Sequence, residues 1–211
     1  MNEAIIILNG TVNHESPFYN DLRKRAGKGN VYVVCADGGA LNAALIGVEP
    51  DAIIGDLDSL PKDLEEKYAD RIIRDSDQNT TDCDKAIRHC INKNAERITI
   101  IGACGTRWDH FIAAAMLLKK YAQVKIKIVD EYNELFLAGK ETELDFPVGS
   151  SVSLIPLGRV EGLKLEGFKY DVENGILEDA SRGIHNEITE SPAKITYSKG
   201  ALLVNRILEL S

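Results

Sequence analysis

The chain has 211 residues, of which 44% are hydrophobic and 27% charged, with a formal charge of -8 and a pI near 5.1. This is enough chain to bury a real core in one large domain or two small ones, and the acidic balance argues against nucleic acid as the main partner, because neutralising phosphates takes a basic patch. No apolar run approaches the length of a membrane span, and the start Met1-Asn2-Glu3 lacks the basic residues of a signal peptide, so a cytoplasmic protein with no membrane partner is expected.

In chain order, Ile5 to Leu8 is a continuous apolar run closed by Asn9-Gly10, which predicts a buried strand and a tight turn. Pro17 to Ala26 reads as a helix. Val31 to Ala36 reads as a second buried strand, ending in Asp37-Gly38-Gly39 before a helical segment from Ala40 to Ile46. Ile53 and Ile54 form a third strand, Pro61 to Tyr68 a polar helix with proline in its first turn, and Ile72-Ile73 a short fourth strand.

Between the third strand and that polar helix lies Gly55-Asp56-Leu57-Asp58-Ser59. Alternate residues of an extended chain point to the same side, so Asp56 and Asp58 are expected to leave the strand on one face. Two anions that close repel unless a cation sits between them, and Mg2+, a hard ion that takes oxygen ligands, fits that role. The same residues also fit a solvated turn in which Asp58 or Ser59 caps the following helix.

Thr81, in Asp75-Ser-Asp-Gln-Asn-Thr-Thr-Asp82-Cys-Asp84-Lys85, is followed three residues later by Asp84. This resembles a capping box with Asp in place of Glu, and Cys83, Ala86, Ile87, Cys90 and Ile91 recur at helical spacing behind it. Asp82 then falls in the first turn of a helix. Ile98 to Ile101 is a fifth strand, followed by Gly102 to Asp109 and an Ala-rich helix through Leu118, and Lys125 to Val129 and Glu134 to Leu137 are further strands.

Strand, acidic or glycine turn, and helix recur four times, which predicts a doubly wound, mostly parallel α/β sheet. The turns after the strands of such a sheet share one edge, where ligands bind. Beyond about Gly139 the pattern changes to short alternating stretches at Ser151 to Ile155, Gly162 to Leu165, Glu187 to Thr189, Lys194 to Tyr197 and Ala201 to Leu208. Glycine and proline punctuate them, so the expected domains are 1–139, α/β, and 140–211, an all-β sandwich.

A crevice lined by at least four carboxylates favours a divalent metal and a polyphosphate substrate. Gly38, Gly39, Gly102 and Gly105 would admit phosphate oxygens close to the backbone, or would serve only tight turns and close packing. Arg107 and Lys85 are the cations best placed to meet phosphate, or either could be a surface ion pair. His110 could act as a base beside Asp109 or simply pack at a helix start, and Trp108 could be core or lie against an aromatic substrate. Neither the P-loop nor the dinucleotide-binding glycine motif is present. Cys35, Cys83, Cys90 and Cys104 have no metal-type spacing and read as reduced, buried, small apolar residues.

Five stretches together resemble the ordered motifs of the thiamine pyrophosphokinase family. They are Cys35-Ala-Asp-Gly-Gly, Ile54-Gly-Asp-Leu-Asp-Ser, Asp77-Gln-Asn-Thr-Thr-Asp-Cys-Asp-Lys, Gly102-Ala-Cys-Gly-Thr-Arg-Trp-Asp-His and Ser181-Arg-Gly-Ile-His-Asn-Glu. The resemblance implies transfer of pyrophosphate from ATP to the hydroxyl of thiamine, giving thiamine diphosphate and AMP. It also implies a homodimer with an α/β catalytic domain, a β-sandwich domain and a thiamine site where subunits meet. By matching position, Asp37, Asp56, Asp58 and Asp82 would form the Mg2+ and phosphate site, with Asp56, Asp58 and Asp82 as metal ligands. Gln78, Thr81, Lys85 and Arg107 would hold ATP, Asp109 would face the reacting centre, and Ser181, His185 and Asn186 would line the thiamine pocket. Ala114 and His185 depart from the family's Asn and Ser at their positions.

Rival readings are a diphosphokinase acting on a pterin alcohol, a non-catalytic nucleotide or thiamine sensor, and an Asp-x-Asp glycosyltransferase. The sensor would be marked by loss of a motif carboxylate, and Asp37, Asp56, Asp58 and Asp82 are all present.

Overall fold

Ile5, Ile6 and Ile7 are at most 3% exposed in the computed structural model, which describes residues 2–178 and 181–208, and they fill the centre of β1 (Glu3–Ile7). An unbroken apolar strand is stable only when both of its faces are covered. Ile5 and Ile7 pack in one cluster with Val33, Cys35 and Ile53 and with residues of the first three helices, α1 (Asn20–Gly27), α2 (Gly39–Leu45) and α3 (Lys62–Lys67). The opposite face of β1, β2 (Tyr32–Ala36) and β3 (Ala52–Gly55) meets α4 (Asp82–Asn92). The segment expected as one helix from Pro17 begins as a 3-10 turn, Pro17–Tyr19, before α1.

After β4 (Ile72–Arg74) and α4, the chain returns to the other side of β1 to form β5 (Arg97–Ile101), α5 (Trp108–Lys120) and β6 (Lys125–Val129). The strand order in this part is β6-β5-β1-β2-β3-β4, and the pairings are parallel. Order reverses between β1 and β5, so the loops leaving these two strands diverge and open a crevice at the sheet's carboxyl edge.

Chain contacts divide the molecule into two units, Met1–Glu131 and Tyr132–Ser211. The division therefore falls before the strand at Asn133–Ala138, whereas the change of sequence pattern falls after it.

In the second unit, β7 (Asn133–Ala138), β8 (Glu141–Leu144), β9 (Ser151–Pro156), β10 (Val160–Glu166), β11 (Val172–Leu177), β12 (Asn186–Glu187), β13 (Ala193–Thr196) and β14 (Leu202–Ile207) pair antiparallel in two sets. One runs β12-β9-β14-β7 and the other β11-β10-β13-β8. Val152, Leu154 and Val204 of the first set share a core with Leu163, Leu165 and Ile195 of the second, which makes the expected sandwich.

Strands β8 and β11 are absent from the sequence-based reading. Both lie at the edges of their sheet, and β11 is irregular, with register shifts against β10 and Asn174 at φ 52°. An edge strand that buries little shows weak alternation.

The four cysteines are free, three buried and Cys104 half-buried, and burial pushes the Cys83 and Cys90 thiols up to about 12. Among the described residues no helix is long and apolar enough to cross a membrane.

Candidate active site

Asp37 follows β2 and takes a left-handed turn at φ 45°, its N–H donating to the Ile54 carbonyl at 2.8 Å. The turn carries its carboxylate over the end of β3, where Gly55 stands. A Cβ at Gly55 would lie 2.9 Å from the Cβ of Asp37 and 3.2 Å from Oδ1 of Asp82, so only glycine lets these two carboxylates meet across the strand end. Asp82 arrives from the first turn of α4, which starts where expected: Thr81 has extended backbone and its Oγ1 accepts from the Asp84 N–H. Carboxylate oxygens of Asp37, Asp56 and Asp82 lie within 4.8 Å of one another.

The three carboxylates are held differently. Asp37 is 7% exposed, its Oδ2 accepts from the Ser59 N–H at 3.1 Å, and its Oδ1 is buried with no donor among the described residues. Burial pushes its pKa up, opposed by Ser59 and reinforced by Asp82 and Asp56. Asp56 accepts from Gln78 Nε2 at 3.2 Å and from the Asp58 N–H at 3.3 Å, and the Gln78 bond, then the Asp58 one, lowers its pKa. Asp82 accepts from Lys85 Nζ at 2.9 Å.

Asp58 does not join them. Leu57 turns the chain at φ 72° to bury its own side chain, so the strand alternation expected to align Asp56 with Asp58 ends at Gly55 and Asp58 is left exposed. Its N–H still steadies Asp56, and Ser59 steadies Asp37. The turn thus serves the cluster largely through its backbone.

The cluster lines a cavity of about 320 Å3, which Gln78, Thr81, Lys85 and Arg107 also line. Asn9 and Gly10, read from sequence only as a tight turn, line it as well. They follow a strand end like every other lining loop, and that rule applied to β1 would have found them. Asn42 of α2, buried, fixes this loop by donating from Nδ2 to the carbonyl oxygens of Leu8 and Gly10, both at 2.7 Å.

Gly39 and Gly102 are accounted for by the chain itself: a Cβ at Gly39 would lie 2.0 Å from the Ile7 carbonyl oxygen, and one at Gly102 would lie 2.6 Å from that of Leu8. Asp109 lies outside the lining set, held by the exposed Arg107. Trp108, at 78% exposed, is not a core residue, because helix α5 turns the face bearing Trp108, Ile112 and Met116 outward. His110 lines the cavity, and Ala114 packs inside at 1% exposure.

Ser181, His185 and Asn186 lie in the second unit. Ser181 and His185 are exposed, with His185 at φ 63° and its N–H donating to Ser153 Oγ at 3.1 Å. Asn186 is buried and its amide is engaged with backbone: Oδ1 accepts from the Tyr170 N–H at 3.0 Å and Nδ2 donates to the Tyr170 carbonyl at 3.1 Å.

Two family models match the chain: Thiamin pyrophosphokinase, catalytic domain, over residues 24–129, and Thiamin pyrophosphokinase, vitamin B1 binding domain, over residues 140–202. The thiamine pyrophosphokinase of Bacillus subtilis (strain 168) is 30% identical over 183 residues, covering 81% of this chain and 84% of its own. The crystal structure of thiamin pyrophosphokinase from Geobacillus thermodenitrificans superposes with a TM-score of 0.83 at 28% identity, covering 100% of this chain and 99% of that one. The yeast enzyme, at 19% identity and a TM-score of 0.80 over 99% of this chain and 86% of its own, shares the fold.

Proposed function

The chain belongs to the thiamin pyrophosphokinase family, and we propose that the cavity lined by its carboxylate trio is where that family's reaction takes place. The reaction moves a pyrophosphoryl group from ATP to the hydroxyl of thiamine, giving thiamine diphosphate and AMP. The observation that carries the placement is the convergence of Asp37, Asp56 and Asp82 at the carboxyl edge of a parallel sheet.

These residues fit Mg2+: the donors are all oxygen, and the buried Oδ1 of Asp37 meets no donor among the described residues. Mg2+ bound there supplies charge neutralisation for the triphosphate. We assign the exposed Asp58 to the same assembly, on the side that faces incoming phosphates.

Phosphoryl chemistry asks the chain mainly for alignment and charge. Gln78, tethered to Asp56, and Thr81, at the start of α4, are assigned to the nucleotide's phosphates together with Arg107. The thiamine hydroxyl oxygen must attack the β-phosphorus in line with the departing AMP oxygen, and the five-donor fork of Arg107 suits the charge that spreads over the transferred group. The pair with Asp109 takes two of those five donors and leaves three to meet phosphate. While that pair holds, Arg107 keeps the Asp109 carboxyl well below its usual range and makes it a weak base. We therefore assign Asp109 to orienting Arg107 first, and to receiving the hydroxyl proton only once Arg107 has moved.

Ser181, His185 and Asn186 are assigned to thiamine; they fall within the segment that matches the vitamin B1 binding domain model. We also infer a homodimer whose thiamine sites draw on both subunits, in the cytoplasm, where its four free thiols would stay reduced.

The test is product analysis with ATP and MgCl2, offering thiamine, a hydroxymethylpterin or no acceptor. AMP and thiamine diphosphate are expected in equal amounts, with thiamine alone. ADP as the stoichiometric product, or AMP formed with the pterin and not with thiamine, overturns the reading.

A further inference from the structure

Lys85 carries its charge on a side chain only 2% exposed, in the first turns of α4. A buried ammonium is costly unless its hydrogen bonds are met. Nζ donates to Oδ1 of Asp82 and to the carbonyl oxygen of Asp75, both at 2.9 Å. Asp75 follows β4 and Asp82 opens α4, so one ammonium ties together the two ends of the loop that carries Gln78. The ammonium touches Asp82, one of three carboxylates whose oxygens lie within 4.8 Å of one another and repel when ionised.

We propose that Lys85 is a positioning residue, a resident counter-cation that aims Asp82 at Asp37 and Asp56 and keeps the three carboxylates together when no metal is bound. This rests on the reading of the cluster as a Mg2+ site. A lysine that grips phosphate directly would need its ammonium free; here two of its three N–H donors are already committed to the chain.

The test uses the full chain stripped of metal with EDTA and melted with and without MgCl2, in the absence of nucleotide. Metal-free Lys85→Met is expected to melt about 5 °C or more below the unaltered protein, with MgCl2 recovering at least half of the deficit. Lys85→Arg, which keeps the charge, should stay closer to the unaltered protein. An equal deficit with and without MgCl2 would mark an ordinary packing role and overturn the proposal. So would unchanged melting with a raised KM for ATP, the signature of a phosphate ligand.

Should Lys85→Met fail to fold, Asp82→Asn and Asp37→Asn decide the matter. Asp82→Asn should lower the metal-free melting temperature, because it strands the buried ammonium, whereas Asp37→Asn should raise it. A rise in both sinks the proposal. If MgCl2 leaves the unaltered protein's melting unchanged, the metal reading falls, while the order of these two metal-free variants still reports whether Lys85 holds Asp82.

Discussion

Arg107 holds Asp109 in a fork, with Nε donating to Oδ1 at 3.0 Å and Nη2 to Oδ2 at 2.6 Å, and both side chains are exposed. An exposed pair of this kind contributes little to stability, so its geometry matters chiefly for where it aims the guanidinium. Arg107→Lys keeps the charge and loses the fork. We expect turnover to fall about 100-fold while the melting temperature moves by no more than about 1 °C. Steady-state rates beside thermal melts check this, and a near-normal rate would remove Arg107 from the chemistry.

Asp56 lies inside the carboxylate trio and Asp58 outside it, so their amide variants should rank in that order. Asp56→Asn is expected to lower turnover about 100-fold or more, and Asp58→Asn between about 10- and 100-fold. Neither touches the core, so both should fold. If Asp58→Asn runs at the normal rate, the turn is a capping turn as far as its second carboxylate is concerned.

Asp37 sets a stability cost against function. Its folded pKa is raised by burial, so the folded state holds the proton more tightly than the unfolded chain does. In the metal-free protein the Asp37 contribution to stability is therefore lost as pH rises from the unfolded value, about 4, through the raised folded value, and that loss is constant above it. Asp37→Asn removes the charge and suits the left-handed backbone at this position. At pH 7 without metal it should melt about 2 °C or more above the unaltered protein, with the gap closing in acid. In MgCl2 the order should reverse. A metal-free Asp37→Asn that melts lower at pH 7 would show that the carboxylate is held there at no cost.

Asp84 is structural despite standing in the same motif. Its carboxylate is 6% exposed and accepts from the Tyr121 hydroxyl and from Lys120 Nζ, the latter at 2.6 Å, joining α4 to the end of α5. Asp84→Ala strands a buried hydroxyl and should cost about 2–3 kcal/mol, seen as a melting temperature about 5–10 °C lower. KM for ATP should stay unchanged. Intact stability would mean that Tyr121 and Lys120 find other partners.

The sequence by itself determined the parallel sheet, the antiparallel sandwich and most of the loops that gather at the parallel sheet's carboxyl edge. Those features rest on local patterns: Ile5 to Leu8 and Val31 to Ala36 are apolar throughout because both faces of a parallel strand are covered, and Thr81 caps α4 through contacts three residues away. What each carboxylate in those loops does was decided by the tertiary structure. Asp56 and Asp58 look equivalent along the chain, but the left-handed turn at Leu57 separates them. Asp37, outside the metal set expected from sequence, enters the trio because Gly55 leaves room across β3. Lys85 and Asp84, neighbours in one motif, meet different partners, one turned toward Asp82 and the other toward Tyr121. Residue type and spacing say which groups can ionise; distances between segments far apart in sequence decide which of them meet, and with what charge beside them.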